Sequence, residues 1–409
     1  MRTLNSGILF ASFKLASGCF SHVAQQSHSI DSMRRSMSSE FSKTALRDVR
    51  VFDGSCFTPP QTIIIDKGVI SSNTDNIETS INATGLFLIP GLIDSHIHIS
   101  STIGLEEATS FGITTAMNMA CEDYMMCESL KGLPGLSDFR TAGIPAVGPN
   151  TSHAAMLQLP PSKLVTETSN ATELVDWAKT NGSNYFKITL EPNGPSYDLT
   201  RRLVAAAETN GLPVMAHASD MAAFEQAVET NVAGIQHVPR DGNLTNELIQ
   251  LSKNANQFVT PTLAIFAAAL HPPNPIFLQF LSANSSSNSS SNSSWENVVH
   301  NVRALYHARI PLLAGTDAVG TIAPNVSIPY GETLHRELEY YVDDIGMTPA
   351  EAINSATRLA AEHHGLRDRG VIEDGMRADL LLLESDPLLD IRNTRKIVGV
   401  WAGGRKYEG

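Results

Sequence analysis

Eight apolar, strand-like runs, helical patterns between most of them, and β-rich segments at both ends predict an α/β protein. The expected architecture is a (β/α)8 barrel inserted between terminal segments that pair into a small β-sandwich. A chain of 409 residues exceeds one average domain but suits a single barrel with an appendage. From Thr44 onward, TALRDVRVFDG and QTIIIDKGVISS are short β-rich runs broken by Gly and Asp, as in hairpins. The far end behaves alike: ADLLLLESDP and KIVGVWAGGRKYE run around Asp-Pro and Gly-Gly turns. Residues 44–89 and 368–409 are therefore expected to form the β-sandwich, with the barrel over 90–367.

Along the middle, the strand-like runs are GLIDSHIHI, TTAMNMA, IPAVGPN, YFKITL, PVMAHA, GIQHV, FVTPTLA and IPLLAGTDA. Parallel strands covered on both faces should read as continuous apolar runs, as these do. LTRRLVAAAETNG follows the fourth and MAAFEQAVETNVAG the fifth, both in helical pattern. After the eighth come two more helices, ETLHRELEYYVDDIG and PAEAINSATRLAAEHHG, the second with Pro349 in its first turn and Gly365 behind it. The low-complexity stretch 282–294, SANSSSNSSSNSS, is expected as a flexible surface excursion between the seventh and eighth strands. It lies at the level of a substrate lid, but simple loop expansion explains it as well.

The formal net charge of -13 repels phosphate backbones and anionic lipid, which disfavours nucleic acid and membrane surfaces as partners. No apolar run approaches the roughly 20 residues of a membrane-spanning helix. Four cysteines are too few and too scattered for a disulfide framework, so reduced thiols are expected. Residues 1–43 are expected as a poorly ordered leader. Arg2, Lys14, many serines and no acidic residue before Asp31 suit a mitochondrial transit peptide. Lys14 interrupts the apolar stretch that a secretory signal needs, and Met33 or Met37 are alternative starts. A cytoplasmic location is the expectation and a mitochondrial one the alternative. Sequons at Asn82, Asn170 and Asn243 do not establish secretion in so Ser/Asn-rich a chain.

In such a barrel the carboxyl ends of the strands carry the active site, and polar residues there stand out. His96 and His98 end the first strand at i, i+2 and so share a face, which points to a metal pair. Lys187 lies in the fourth strand and leaves two readings open. It is either an edge lysine snorkelling into water, or a neutral buried amine able to take up CO2 as a carbamate. His217 ends the fifth strand and His237 the sixth, so adjacent strands bring the two imidazoles together. Asp317 ends the eighth strand beside Gly315 and Thr316. Alone it reads as a turn residue, but in a closed barrel it sits next to the first strand.

These features resemble the amidohydrolase superfamily in its imidazolonepropionase-like and prolidase-like branch. The resemblance is carried by PGLIDSHIH, the lysine of FKITL, AHAS, GIQHV, AGTDA and RGVIEDGMRADLLLLESDPL, and it covers Thr44 to Gly409. It implies a distorted (β/α)8 TIM barrel with the terminal sandwich. It further implies that His96, His98 and Asp317 hold a buried divalent ion and that His217 and His237 hold a more exposed one. An N6-carboxylated Lys187 would bridge the two. Imidazolonepropionase-type relatives lack that lysine and use one metal, so Lys187 argues for two, with zinc suited to the mixed ligands. The implied reaction is hydrolysis of a C–N bond in a small amide, cyclic amide or dipeptide by a metal-bridged hydroxide, with Asp317 as general base and acid.

His153 stands after the third strand, where relatives place a substrate-contacting histidine, although the glycines usual around it are replaced by Thr151, Ser152 and Ala154. Arg240 and Tyr330 complete the candidate substrate-binding residues, while Asp241 reads as a helix cap. The alternatives are an Xaa-Pro-type dipeptidase, with Arg240 for the terminal carboxylate, and a scaffold that has lost its chemistry. The partner implied is a small molecule, and assembly into a homo-oligomer stays open.

Overall fold

The computed structural model describes residues 41–121, 123–275, 277, 293–323 and 326–409. Nearly all of the leader, and residues 278–292 of the Ser/Asn-rich region, lie outside them. The chain opens with β1 (Thr44–Val51), β2 (Gln61–Asp66), β3 (Val69–Ser71), β4 (Thr79–Asn82) and β5 (Phe87–Pro90). One strand serves two neighbourhoods. Residues Thr44 to Arg47 of β1 pair with β4, Thr44 to Leu46 and Val49 pair with β2, and Arg50 and Val51 pair with β5. Asp48, in a left-handed conformation (φ 58°), lies where the register of the β1–β2 pairing shifts, between Leu46 and Val49.

The middle begins with three parallel strands, β6 (Leu92–Ile97), β7 (Ile113–Asn118) and β8 (Asp138–Thr141). Four more follow in chain order: β9 (Phe186–Thr189), β10 (Val214–His217), β11 (Gly234–Gln236) and β12 (Phe258–Thr260). Every residue of β6, β7, β9, β11 and β12 is buried, which is why these segments read as unbroken apolar runs. A hairpin of β13 (Gly320–Ala323) and β14 (Val326–Ile328) comes next, and the chain ends in β15 (Leu380–Leu383), β16 (Ile397–Ala402) and β17 (Arg405–Lys406).

The two middle sheets are joined by single bridges instead of continuous ladders. Ala146 bridges to Ile188, Leu312 to Val259, and Ala318 to Ile97. The run IPAVGPN thus contributes a bridge at Ala146, and the regular third strand lies upstream at Asp138–Thr141. Pro145 and Pro149 have no amide hydrogen to give a ladder. The eighth run is irregular for a similar reason, with Pro311 near its start and a left-handed Asp317 (φ 55°) at its end.

At the far end β15 pairs with β5 through Leu381 and Ile89 and with β16, which in turn pairs with β17. The strands of both termini therefore form one eight-stranded sheet turned at β1, where two stacked sheets were expected. Leu46, Val51, Ile65, Leu88, Leu382 and Trp401 form its own apolar cluster.

Helices form as Tyr197–Thr209 and Met221–Glu229, capped by the side chains of Ser196 and Asp220. The helix Glu332–Tyr340 widens into a π-turn at Tyr341–Ile345 before Gly346. The final helical pattern divides into Pro349–Ser355 and Arg358–His363. Between them the carbonyls of Ser355 and Ala356 accept from Ala314 (3.0 Å) and Ile93 (2.7 Å), so strand segments take the groups that a continuous helix would use. Cys121, just after β7, is disulfide-bonded to Cys127, so reduced thiols are not what the fold holds there. The helix Tyr124–Ser129 brings Cys127 back to a Cα–Cα distance of 6.4 Å. No helix among the described residues is long and apolar enough to cross a membrane.

Candidate metal centre

Backbone conformation aims several of the candidate side chains. His237 (φ 76°) and Thr262 (φ 56°) stand just past β11 and β12, and Asp317 (φ 55°) lies in the irregular eighth run, all three in left-handed conformation. Such conformations are sparsely populated by residues with a Cβ and persist where the surrounding structure demands them. At the eighth run, Gly315 lets the chain pass close to the first strand. A Cβ there would lie 2.5 Å from Thr260 Cγ2 and 2.8 Å from the His96 amide nitrogen.

His96 and His98 turn their Nε2 atoms toward Asp317, at 3.2 and 3.0 Å from Oδ1. The two nitrogens are 3.3 Å apart, and His237 Nε2 lies 4.0 Å from Asp317 Oδ2. The His237 ring neighbours those of His96 (4.8 Å between centroids) and His217 (4.5 Å), and His217 in turn neighbours His153 at 4.4 Å. Among the described residues, His96, His98 and Asp317 form the cluster whose ligand atoms converge closely enough to hold one metal ion.

The electrostatics fit a cation. Burial pulls the His96 imidazole down to about 4, and it carries His217 and His237 well below the ordinary value. Neutral imidazoles offer lone pairs. Burial would raise Asp317, but the His96, His98 and His237 side chains overcome it and hold the carboxylate ionised. The tautomer of His237 is set by Thr262. That hydroxyl donates to the Pro261 carbonyl (2.7 Å), so it accepts from His237 Nδ1 (2.7 Å). His237 Nε2 then carries a lone pair facing the Asp317 carboxylate, two electron-rich atoms 4.0 Å apart that a positive ion between them would reconcile. Lys187 is buried on β9 (4% exposed), and burial draws its ammonium down to about 7 against the pull of Asp317. An edge lysine reaching water is therefore not what the fold contains.

Three further groups hold the site, and sequence reasoning missed them. Buried Asp94 accepts from the amides of His96 and Thr316 (3.1 Å each) and from the Thr316 hydroxyl (2.7 Å), tying the first strand to the eighth run. Glu191 accepts from His153 Nδ1 (2.8 Å) and from the His153 amide, and its other oxygen accepts from the Ser152 amide and hydroxyl. The signal was present, because Glu191 follows Lys187 at i+4 and so continues the inward face of the fourth strand. Thr262 had no signal of its own, since its role depends on a left-handed turn after the seventh strand.

The remaining candidates sit apart from this cluster. Tyr330 is buried, and its hydroxyl donates to the His98 carbonyl (2.9 Å), supporting the loop behind that histidine. Arg240 is half-buried and faces the carboxylates of Asp220 and Asp241. Asp241 caps a helix, as expected, accepting from the Met221 amide (2.9 Å).

Comparison with known proteins finds relatives that span most of the chain. The chain is 24% identical over 371 residues to an imidazolonepropionase of Deinococcus deserti, covering 79% of this chain and 84% of that one. It is 27% identical over 210 residues to an ochratoxinase of Aspergillus niger, a match spanning 50% of this chain and 39% of the relative. In fold it resembles a Xaa-Pro dipeptidase with methionine bound in its active site, at TM-score 0.75 and 20% identity over 90% of this chain and 100% of that one. The Aspergillus niger ochratoxinase structure superposes at TM-score 0.71, with 19% identity over 90% and 96% of the two chains. The model of the amidohydrolase family matches residues 87–406, and the chain belongs to that family of hydrolases.

Proposed function

We propose that this enzyme hydrolyses a C–N bond of a small amide, cyclic amide or dipeptide at a site built for two divalent metal ions, with zinc the best fit. The observation that carries the reading is the convergence of His96, His98, His237 and Asp317 at one end of the strands, with neutral His217 and buried Lys187 beside them. The bridged strand segments are read here as one distorted (β/α)8 barrel, and 44–89 with 368–409 as its appended sheet domain.

His96, His98 and Asp317 would hold one ion, His217 and His237 the other, and Lys187 as an N6-carbamate would lie between them. When bound, the ions would supply a water ionised at neutral pH and a Lewis acid for the scissile carbonyl. Asp317 would accept the attacking water's proton and return it to the leaving nitrogen. Its position against three imidazoles keeps it ionised and ready for that step. Burial brings Lys187 down to about 7, so that near neutral pH a substantial share of it lacks the proton that would block reaction with CO2. His153, anchored through Nδ1 by Glu191, keeps Nε2 for a substrate oxygen. Arg240 already faces Asp220 and Asp241, which weakens the case for it as a dedicated carboxylate anchor.

The test is an activity screen of the purified chain, with and without added Zn2+, Mn2+ or Co2+, across amides, lactams, lactones and dipeptides. Turnover of a C–N substrate that is lost on chelation and restored by metal supports the reading. Metal-independent turnover, or turnover of lactones alone, would overturn it.

A further inference from the structure

The helix Leu263–Leu270 begins directly behind Thr262, the residue that fixes His237. A threonine in this capping position ordinarily bends its hydroxyl back to accept one of the helix's first free amides. Thr151, Thr245 and Thr348 do so in this protein, each accepting from its own helix. Thr262 does not. Its left-handed backbone (φ 56°, ψ 51°) turns the side chain away, and the hydroxyl bonds His237 Nδ1 and the Pro261 carbonyl instead.

The amides left behind are satisfied from another helix. Glu337, on Glu332–Tyr340, accepts from Leu263 N (2.9 Å) through Oε1 and from Ala264 N (2.7 Å) through Oε2. Glu337 is 0% exposed, and the helix that it caps is buried over almost its whole length. A carboxylate in such a place carries a heavy desolvation penalty. Burial pushes Glu337 up to about 8 even against the two amide donors. An ordinary Thr262 cap would accept one of these first free amides, and with its hydroxyl turned to His237 the two amides nearest the start of the helix go to the buried acid instead.

We propose that Glu337 is a positioning residue for the metal site: it caps the helix Leu263–Leu270 in place of Thr262, and so leaves the Thr262 hydroxyl to hold His237 with Nε2 toward the metal. This rests on the metal-binding role of His237 proposed above. It predicts that Glu337 and Thr262 act through one imidazole, although Glu337 touches neither His237 nor a ligand.

The experiment is cobalt titration of the metal-stripped full-length chain, followed by its visible absorption and by bound metal per chain. Thr262→Val and Glu337→Gln are each expected to weaken one of the two cobalt ions about 10- to 100-fold, the usual size of effect for a group that orients a metal-bound histidine. Thr262→Ser, which keeps the hydroxyl, should restore wild-type binding. Adding Glu337→Gln to Thr262→Val should weaken binding no further. Wild-type cobalt affinity in a folded Glu337→Gln chain would overturn the proposal, and so would fully additive losses in the double variant. If Glu337→Gln does not fold, Glu337→Asp takes its place under the same criteria. His237→Ala separates the two levels. If that variant still binds two cobalt ions as the wild type does, the metal reading has failed, whereas a lost ion there with unaltered Glu337 variants condemns the capping proposal alone.

Discussion

Lys187 lies on β9 and Glu191 two residues past its end, and burial acts on them in opposite ways. Burial lowers Lys187 to about 7 because its desolvation outweighs the opposing pull of Asp317. Lys187→Ala should therefore abolish activity, and a short carboxylic acid added to the assay should partly restore it by standing in for the carbamate. Full activity in that variant ends the two-metal model. Burial alone would raise Glu191, but its hydrogen bonds to His153 and Ser152 hold it near 2 against an ordinary 4.5. A carboxyl depressed on folding contributes stability above its ordinary value and loses it as pH falls through the window from 4.5 to 2. The urea midpoint of the wild type should fall more steeply across that window than that of Glu191→Gln, and equal slopes would refute the assignment. The histidines, Lys187 and Asp317 were legible because their chemistry is tied to residue type and strand-end position. Asp94 and Thr262 were not. Their roles depend on which backbone amides and rings reach them, and that is decided by left-handed turns no local pattern announces.

At the scale of elements, continuous apolar runs located β6, β7 and β9 to β12 well, because strands buried on both faces need little else. The third and eighth runs were harder. Their prolines supply the apolar character of a strand while removing the amides that make one regular. The last helical pattern hid a break for the converse reason, since its sequence favours helix but Ala314 and Ile93 claim its carbonyls. The terminal sheet and the parallel strands β7 and β8 are fastened by Arg369, whose buried guanidinium reaches Asp138 (2.8 Å), Asp379 (3.7 Å) and the Thr115 hydroxyl (2.9 Å). Arg369→Met leaves two half-buried or buried carboxylates short of a partner. It should cost about 3 kcal/mol, the low end for breaking a buried pair because Arg140 still faces Asp138 (2.9 Å) and Arg377 still faces Asp379 (2.9 Å). Guanidinium unfolding at neutral pH measures this, and a change below about 0.5 kcal/mol, the range of ordinary surface substitutions, would show that the clamp is idle.

Over the whole molecule, both chain ends are sewn into one sheet by β5 and β15, while the first strand and the eighth run meet at Asp94, His96 and Asp317. The proposed ligands thus come from segments more than 200 residues apart, His96 and Asp317 being the extremes. Metal that binds the folded chain and not the unfolded one must stabilise it, by about 2.7 kcal/mol at a hundredfold excess over its dissociation constant. Chelation should accordingly lower the melting temperature as well as stop turnover. The central claim is most directly tested by counting metal in the purified full-length chain and in a His96→Ala/His98→Ala variant by elemental analysis. The account predicts close to two divalent ions per wild-type chain and the loss of at least one in the variant. Less than one ion per wild-type chain after incubation with zinc, together with an unchanged melting temperature on chelation, would contradict it.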